Sequence, residues 1–342
     1  MAFNKKIVIY GAGAIGTSIA AWLAPQYPQL YLLARGEHAK VIKNKGLSFY
    51  RNTGPKTVVP IKVIEDLNEQ PDAEIIIITV KNYDLENVAK EIETKIHSEP
   101  LILGFQNGVE NQKVLPQYFK KVIYGVVCYN AWRDAPGVVG YRSKGAVVIG
   151  TLNNGLQEEL QEIKSILGRV MIIKISAHIK EAAYNKLVLN LNNAVLTLLG
   201  QKSRTVQNAD YVRKIITAVV YEGIEFLRKL GMKEERLPNI PSWRLFMLLF
   251  KLPGFLSNPL FKLGFGGPGI NSMAQDILIK KQNQTEIDSF NGFIVKLAKE
   301  HGLKVPLNEK IYNLCKAKFS ELVFQPIDEK ELYKLLFSPA SS

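Results

Sequence analysis

The sequence predicts an α/β fold in which a doubly wound sheet is followed by an all-helical C-terminal domain. Three observations support this prediction. Short runs of β-branched residues alternate with helical patterns in the first half of the chain, and a glycine-rich loop separates the first run from the first helix. After residue 177 nearly every segment has the periodicity of a helix.

The predicted strands are continuous apolar runs, which are typical of strands buried on both faces of a parallel sheet. They cover residues 7–10, 30–33, 75–80, 101–105, 122–127, 146–149 and 170–175. Because helical patterns such as residues 14–23 lie between them, the first domain is expected to be doubly wound.

We expect the domain boundary near residue 177, which gives domains of residues 1–177 and 178–342. The second domain has helical patterns at residues 181–199, 209–230, 285–301 and 308–324. Residues 236–275 differ from the rest, since they include no acidic residue, four basic residues and six aromatic residues. Frequent Pro and Gly predict a partly irregular excursion there, which we call the basic aromatic segment.

Composition limits the partners. Lys and Arg total 44 against 31 for Asp and Glu, a net charge of +13, which fits an anionic partner but equally an ordinary basic surface. No recognisable nucleic-acid-binding module accompanies this charge, so nucleic acid is not expected. Two cysteines and four scattered histidines predict neither a disulfide framework nor a metal site. The apolar runs suit neither a signal core nor a spanning helix, so we expect a cytoplasmic protein.

The glycine loop has the G-x-G-x-x-G spacing of a dinucleotide-binding fingerprint between a strand and a helix. Gly11 is expected to make the tight turn, Gly13 to let the backbone approach a pyrophosphate, and Gly16 to permit close helix–strand packing. Amides at the helix N-terminus would bind the phosphates. We therefore expect a Rossmann-type domain whose cofactor-binding loop is Gly11, Ala12, Gly13, Ala14, Ile15 and Gly16.

The end of the second strand indicates which nucleotide is bound. An NAD site carries Asp or Glu about twenty residues beyond the glycines, where this chain has Arg35. A guanidinium binds a 2′-phosphate bidentately and stacks on adenine, so NADP(H) is the predicted cofactor. The alternative is that Arg35 is an ordinary surface cation.

Two further strand ends carry polar residues. The run 75–80 is followed by Lys81, and the run 101–105 by Gln106, Asn107 and Gly108. Ligands of open α/β sheets bind at the carboxyl ends of strands, so Lys81 and Asn107 are candidates for the nicotinamide half of the site. Alternatively, Lys81 is a solvated residue at a helix start and Asn107 a turn former.

The helical pattern 181–199 carries one polar stripe, formed by Lys186, Asn190, Asn193 and Thr197, on an otherwise largely apolar helix. A buried polar stripe requires partners or a ligand. Desolvation lowers a lysine pKa toward neutrality, so Lys186 is a candidate general acid. The alternative is that the Asn residues bond the backbone and Lys186 extends to solvent.

Taken together, these motifs resemble the ketopantoate reductase (2-dehydropantoate 2-reductase) family over nearly the whole chain. The quoted segments are the glycine loop, Lys81, 106–108, 135–139, 185–190, 272–276, 285–288 and 291–292. The resemblance implies NADPH-dependent reduction of a 2-oxo acid, most simply ketopantoate to pantoate, between a Rossmann domain and a helical domain. It makes 1–177 the NADP-binding domain and 178–342 the substrate and dimerisation domain.

The resemblance also implies roles for single residues. Lys186 matches the family's general acid, and Glu286 matches the acid that orients lysine, substrate and cofactor. Asn190 and Ser272 match substrate-binding residues, while Lys81 and Asn107 match residues on the cofactor side. The family's second Asn, eight residues after the lysine and followed by Pro, is replaced by Ala194-Val195, and Asn193 is a candidate substitute. The span from Ser272 to Glu286 is also two residues longer than usual.

These departures leave alternatives open. One is a reductase for a bulkier or more hydrophobic ketone or oxo acid, and another is a non-catalytic NADPH-binding sensor. The basic aromatic segment is interpreted as a lid or a homodimer contact in preference to a membrane-surface patch, because interfacial helices usually concentrate Lys and Arg on one face.

Overall fold

The computed structural model describes residues 4–201, 203–265 and 270–338, without the side chains of residues 260 and 262–265. The chain divides into two units. One consists of Met1–Ala183 with Leu237–Asn239, and the other of Tyr184–Arg236 with Ile240–Ser342. The functional division into an NADP-binding domain and a substrate domain stays a prediction. Within the described residues, no helix is long and apolar enough to cross a membrane.

The described residues of the first unit form twelve strands in two sheets. In chain order they are β1 Ile7–Tyr10, β2 Leu30–Leu33, β3 Leu47–Arg51, β4 Thr57–Val59, β5 Lys62–Ile64, β6 Ile75–Ile78, β7 Leu101–Gly104, β8 Val122–Val127, β9 Ala131–Ala135, β10 Val138–Tyr141, β11 Ala146–Gly150 and β12 Ile172–Ile175. Eight of them form the main sheet in the order β12-β11-β8-β7-β6-β1-β2-β5.

The main sheet is parallel except where β11 pairs antiparallel with β8. β1 lies between β2 and β6, with Ile9 in register with Leu32 on one side and with Ile77 on the other. All four residues of β1 and of β6 are buried, as expected for β-branched strands covered on both faces. The chain moves outward in opposite directions from β1, which creates the crevice where α/β sheets bind ligands. The predicted doubly wound α/β fold is therefore confirmed.

A second sheet, in the order β4-β3-β10-β9, was missing from the sequence interpretation. Its strands are short and partly exposed, so they lack the continuous apolar runs that marked the main sheet. The sheet packs on the first helix through aromatic contacts. The Trp22 ring meets the rings of Phe49 and Tyr141 edge-on, at centroid distances of 5.6 and 5.2 Å.

In the described part of the first unit, five helices lie between the strands along the chain. They are α1 Ala14–Leu23, α2 Gly36–Lys45, α3 Leu85–Lys95, the single turn α4 Asn111–Val114, and α5 Gln157–Leu167. α1 covers the predicted residues 14–23, and its face toward the sheet is buried from Gly16 onward.

The remaining helices belong to the second unit, except that α6 begins in the first. They are α6 Ile179–Asn190, α7 Asn192–Leu198, α8 Ala209–Lys229, α9 Trp243–Lys251, α10 Gly254–Phe265, α11 Ser272–Ala274, α12 Phe293–Glu300, α13 Pro306–Phe319 and α14 Glu329–Phe337. Single turns of π-helix occur at Gln275–Ile279 and Asp288–Gly292. The predicted all-helical character of this part of the chain is confirmed for the described residues.

One helix prediction needs correction. The single helix expected over 181–199 is interrupted at Leu191, whose amide bonds the Val188 carbonyl three residues back and so tightens the turn between α6 and α7. The basic aromatic segment contains α9 and α10, with non-helical residues before and between them. Its residues 266–269 lie outside the described part of the chain.

Candidate active site

The glycine loop joins β1 to α1 and has the geometry expected of its three glycines. Gly11 has a φ of +114°, which a side chain would strain. A Cβ on Gly16 would lie 2.1 Å from the Gly11 carbonyl oxygen and 2.3 Å from Thr79 Oγ1, so only glycine fits there. A Cβ on Gly13 would meet nothing within 4 Å, which leaves open space beside the N-terminus of α1.

Thr79 holds this loop in place, and the sequence interpretation missed it. Its hydroxyl donates to the Gly11 carbonyl at 2.7 Å and approaches the Tyr10 carbonyl at 3.3 Å, while its amide donates to Tyr10 at 2.9 Å. The only sequence signal was a hydroxyl residue at the end of an apolar run. The tight loop, the open space at Gly13 and the amide groups at the N-terminus of α1 together fit the pyrophosphate of a dinucleotide.

Arg35 follows β2 and immediately precedes α2, with an exposed side chain. Its Nη2 lies 3.2 Å from both carboxylate oxygens of Glu91 and 3.3 Å from the Tyr10 hydroxyl. Tyr10 in turn donates to Glu91 at 2.6 Å, and Lys95 Nζ donates to it at 3.1 Å. Burial alone would raise the pKa of Glu91, but these hydrogen bonds hold it below its usual value. Arg35 therefore sits beside an ionised carboxylate.

Lys81 and Asn107 follow β6 and β7, two strands that pair in parallel, and both side chains are half-buried. Asn82 Nδ2 donates to the Asn107 carbonyl, which ties the two strand ends together. Gln106 Nε2 donates across the same gap to the Ile78 carbonyl at 2.9 Å. The Asn82 Oδ1 atom is buried and has no hydrogen-bond partner among the described residues, so this edge retains an unused acceptor.

The polar stripe of the second unit runs along α6 and α7. Lys186, Asn190 and Asn193 are half-buried, while Ala194 and Val195 are fully buried. Thr197 is buried, and its hydroxyl donates to the Asn193 carbonyl at 2.7 Å.

Asn271, another residue absent from the sequence interpretation, connects Ser272 to this stripe. Its side-chain oxygen caps α11 by accepting from the Ala274 amide at 2.9 Å. Its Nδ2 donates to Gln201 Oε1 at 2.8 Å and to the Asn193 carbonyl at 3.4 Å. The half-buried Ser272 therefore lies on a turn that is bonded to the backbone of the Asn193 helix.

Glu286 is 2% exposed and lies two residues before the π-turn Asp288–Gly292. The other π-turn, Gln275–Ile279, begins soon after Ser272. Such turns often accompany functional sites, since they shift side chains relative to a regular helix. The residues of the extended span, 280–284, are exposed, whereas residues 285–287 are buried. The extra length is therefore accommodated at the surface.

Comparison with known proteins identifies a family for both parts of the chain. The family described as "Ketopantoate reductase PanE/ApbA" matches residues 7–154, and its C-terminal counterpart matches residues 178–319. A 2-dehydropantoate 2-reductase of Pyrococcus horikoshii is 30% identical over 326 residues, covering 92% of this chain and 98% of the relative.

Solved structures share the fold. A PanE/ApbA family ketopantoate reductase from Ralstonia eutropha superposes with a TM-score of 0.73 at 23% identity, covering 92% of this chain and 100% of that one. D-mandelate dehydrogenase with NADH and anilino(oxo)acetate has a TM-score of 0.75 at 23% identity, covering 92% and 98%. The chain thus belongs to the ketopantoate reductase family and is an NAD(P)-dependent oxidoreductase that acts on CH–OH groups.

Proposed function

We propose that the protein reduces a 2-oxo acid to the corresponding 2-hydroxy acid with NADPH, and that its substrate is ketopantoate, which becomes pantoate. Family membership supports the reaction class. The observation that carries the assignment of chemistry is the position of Lys186 and Asn190, both half-buried and one turn apart, on a helix whose other residues nearby are mostly buried.

Lys186 is the proposed general acid. A nicotinamide held beside Lys81 and Asn107 would supply the hydride for the carbonyl carbon. Lys186 Nζ donates a proton to the carbonyl oxygen, so that the oxygen becomes the hydroxyl of the product and the lysine regains its proton from solvent. A cationic donor stabilises the negative charge that develops on that oxygen.

Glu286, Asn190, Asn193 and Ser272 are the proposed supporting residues. The buried Glu286 carboxylate would orient Lys186 and favour its charged form. Asn190 and Ser272 would bind the polar groups of the 2-oxo acid. Asn193 would supply the amide that the family has at the position of Ala194, because Ala194 is fully buried whereas Asn193 is not.

The choice of NADPH over NADH rests on Arg35. The glycine loop would hold the pyrophosphate, Arg35 the 2′-phosphate, and Lys81 with Asn107 the nicotinamide half. A guanidinium can bind the phosphate bidentately, and it lies at the strand end where an NAD site carries an acid. Neighbouring Glu91 would compete with the phosphate for Arg35. The preference for NADPH over NADH would therefore depend on Glu91 as well as on Arg35.

A bulkier 2-oxo acid is the second candidate substrate. Ala194 supports it, because replacement of an amide by a methyl group makes the neighbouring wall less polar. The fold shared with D-mandelate dehydrogenase, whose ligand anilino(oxo)acetate carries an aromatic ring, is consistent with that alternative. The homodimer and the cytoplasmic location stay predictions, to be tested by sedimentation equilibrium and by cell fractionation.

A substrate panel tests the proposal. The full-length protein is mixed with NADPH or NADH and each of several 2-oxo acids, including ketopantoate and phenylglyoxylate, and oxidation of the reduced cofactor is followed. We expect the highest kcat/KM with ketopantoate and NADPH. Preference for phenylglyoxylate would support the bulkier substrate. NADPH binding without turnover of any 2-oxo acid would identify a sensor and reject the proposed reaction.

A further inference from the structure

Helix α9 exposes an apolar face that its packing leaves uncovered. Its inner face buries Trp243, Phe246 and Leu249. Its outer face consists of exposed residues at positions i, i+1, i+4 and i+7, namely Arg244, Leu245, Leu248 and Lys251. On the outer face, two exposed leucines therefore lie beside two cations, opposite the buried aromatic face.

The start of α10 also exposes apolar side chains. Phe255 is 77% exposed and Leu256 47% exposed, and both follow Lys251 by a few residues. We call these six residues, Arg244, Leu245, Leu248, Lys251, Phe255 and Leu256, the outer face. Large exposed aromatic and aliphatic side chains grouped in this way mark an interaction surface more often than single ones do.

The outer face is held in position by a buried arginine. Arg213 of α8 donates to Asn258 Oδ1 at 2.6 Å and to the Leu249 carbonyl at 3.4 Å, and it pairs with Asp210 at 2.7 Å. This one side chain joins α8 to both α9 and α10. The outer face is therefore built on anchored helices.

The charge of the outer face indicates its partner. Residues 236–275 contain no acidic side chain. Carboxylates on the neighbouring chain segments are already engaged: Asp210 by Arg213 and Lys214, Glu225 by Arg228, and Glu234 by the Trp243 amide. In a twofold dimer each patch would meet its own copy, which would bring four cations and no carboxylate of this segment into one interface. A second copy of this chain is therefore disfavoured as the occupant.

We propose that the outer face binds the surface of an anionic lipid bilayer. Leu245, Leu248, Phe255 and Leu256 would enter the boundary between headgroups and acyl chains, while Arg244 and Lys251 would remain at the anionic headgroups. Two cations and four apolar side chains give weak, reversible binding that depends on salt and on lipid charge. This inference is independent of the substrate and cofactor proposed above.

Co-sedimentation of the full-length protein with vesicles tests the proposal. Vesicles of phosphatidylcholine with phosphatidylserine are compared with vesicles of phosphatidylcholine alone. We expect pelleting only with the anionic vesicles, reduced at least about tenfold in apparent affinity by R244Q/K251Q and by L248S/F255S. Leu322→Ser is the matched control, because Leu322 is exposed but lies outside the outer face. Thermal unfolding verifies that each variant is folded.

Several outcomes would overturn this proposal. No pelleting with anionic vesicles would do so, and so would pelleting that both double variants leave unchanged. If L248S/F255S instead converts an oligomer to a monomer without altering vesicle binding, the outer face is a self-contact. Binding to soluble polyglutamate that matches vesicle binding and does not require Phe255 would indicate an acidic protein partner.

Discussion

Both carboxylate oxygens of Glu91 lie 3.2 Å from Nη2 of Arg35, so the residue proposed to bind the 2′-phosphate of NADPH has an anionic neighbour before any cofactor binds. The pair is partly exposed, and its net contribution to folding is therefore small. The pair matters for cofactor binding, because a bound phosphate would compete with Glu91 for the hydrogen bonds of the Arg35 guanidinium.

We expect Arg35→Gln to raise KM for NADPH by roughly 10- to 100-fold, the effect of losing a hydrogen bond to a charged group. KM for NADH should change little. Steady-state kinetics with both cofactors measure this, with Lys43→Gln as a control because Lys43 pairs with Glu65 instead. Equal losses for NADPH and NADH would contradict a role for Arg35 in phosphate recognition.

Glu91→Gln should act in the opposite direction. Removing the negative charge frees Arg35 for the phosphate, so KM for NADPH should fall by a few-fold while KM for NADH stays unchanged. Tyr10 and Lys95, which also bond Glu91, remain to position the amide. A higher KM for NADPH would show that Glu91 supports Arg35 and does not compete for it.

The second and third glycines of the loop, Gly13 and Gly16, should respond differently to alanine. Gly16→Ala places a methyl group 2.1 Å from the Gly11 carbonyl oxygen and should lower the free energy of unfolding by about 1–3 kcal/mol or more. Gly13→Ala has open space and should leave unfolding nearly unchanged while weakening cofactor binding. Chemical denaturation and cofactor titration separate the effects, and equal destabilisation by both would contradict this account of the loop.

His38 should make stability depend on pH. Burial, with a smaller effect of Arg133, lowers the pKa of His38 to about 4, and its Nδ1 accepts a hydrogen bond from the Gly137 amide at 2.9 Å. The unfolded chain takes up this proton near pH 6.5 while the folded chain stays neutral, so stability is full above pH 6.5 and falls between pH 6.5 and 4. Relative to His38→Asn, the wild type should lose roughly 3 kcal/mol more across that range. Unfolding free energies measured with denaturant that depend on pH in the same way for the wild type and His38→Asn would contradict this role of His38.

Glu329 should anchor the last helix. It is buried at the start of α14, accepts hydrogen bonds from the Gln207 and Asn208 amides at 2.7 Å, and pairs with Arg204. Glu329→Ala leaves these donors without their acceptor and should cost about 3–5 kcal/mol of unfolding free energy. Glu329→Gln retains one acceptor oxygen and should cost less. Equal losses of unfolding free energy in the two variants, measured by denaturant unfolding, would contradict this role of the Glu329 carboxylate.

Most of the main sheet could be predicted from sequence, because a strand such as Ile75–Ile78 is buried on both faces and forms a continuous apolar run. Its edge strand β5 was not predicted, because it is short and partly exposed. The second sheet could not, because strands such as Ala131–Ala135 are largely exposed and carry no apolar pattern. The break at Leu191 could not be predicted, because the apolar pattern of 181–199 runs through it without a Gly or Pro.

The candidate site shows the same contrast. Gly11, Gly13 and Gly16 could be predicted from their spacing, because each position has its own steric reason to lack a side chain. Thr79 and Asn271 act through hydrogen bonds to distant segments, at Gly11 and Gln201, and no local pattern reports such partners. The position of Glu91 beside Arg35 likewise depends on the packing of α3 near the end of β2.

The central claim is that Lys186 protonates a 2-oxo acid as it is reduced, and the kinetics of Lys186→Ala with ketopantoate test it most directly. We predict that kcat falls by about 10²–10⁴ while NADPH still binds with wild-type affinity, measured by cofactor fluorescence. Lys180→Ala, also on α6, should leave kcat unchanged. An unaltered kcat in Lys186→Ala, alongside wild-type turnover of ketopantoate, would contradict the account.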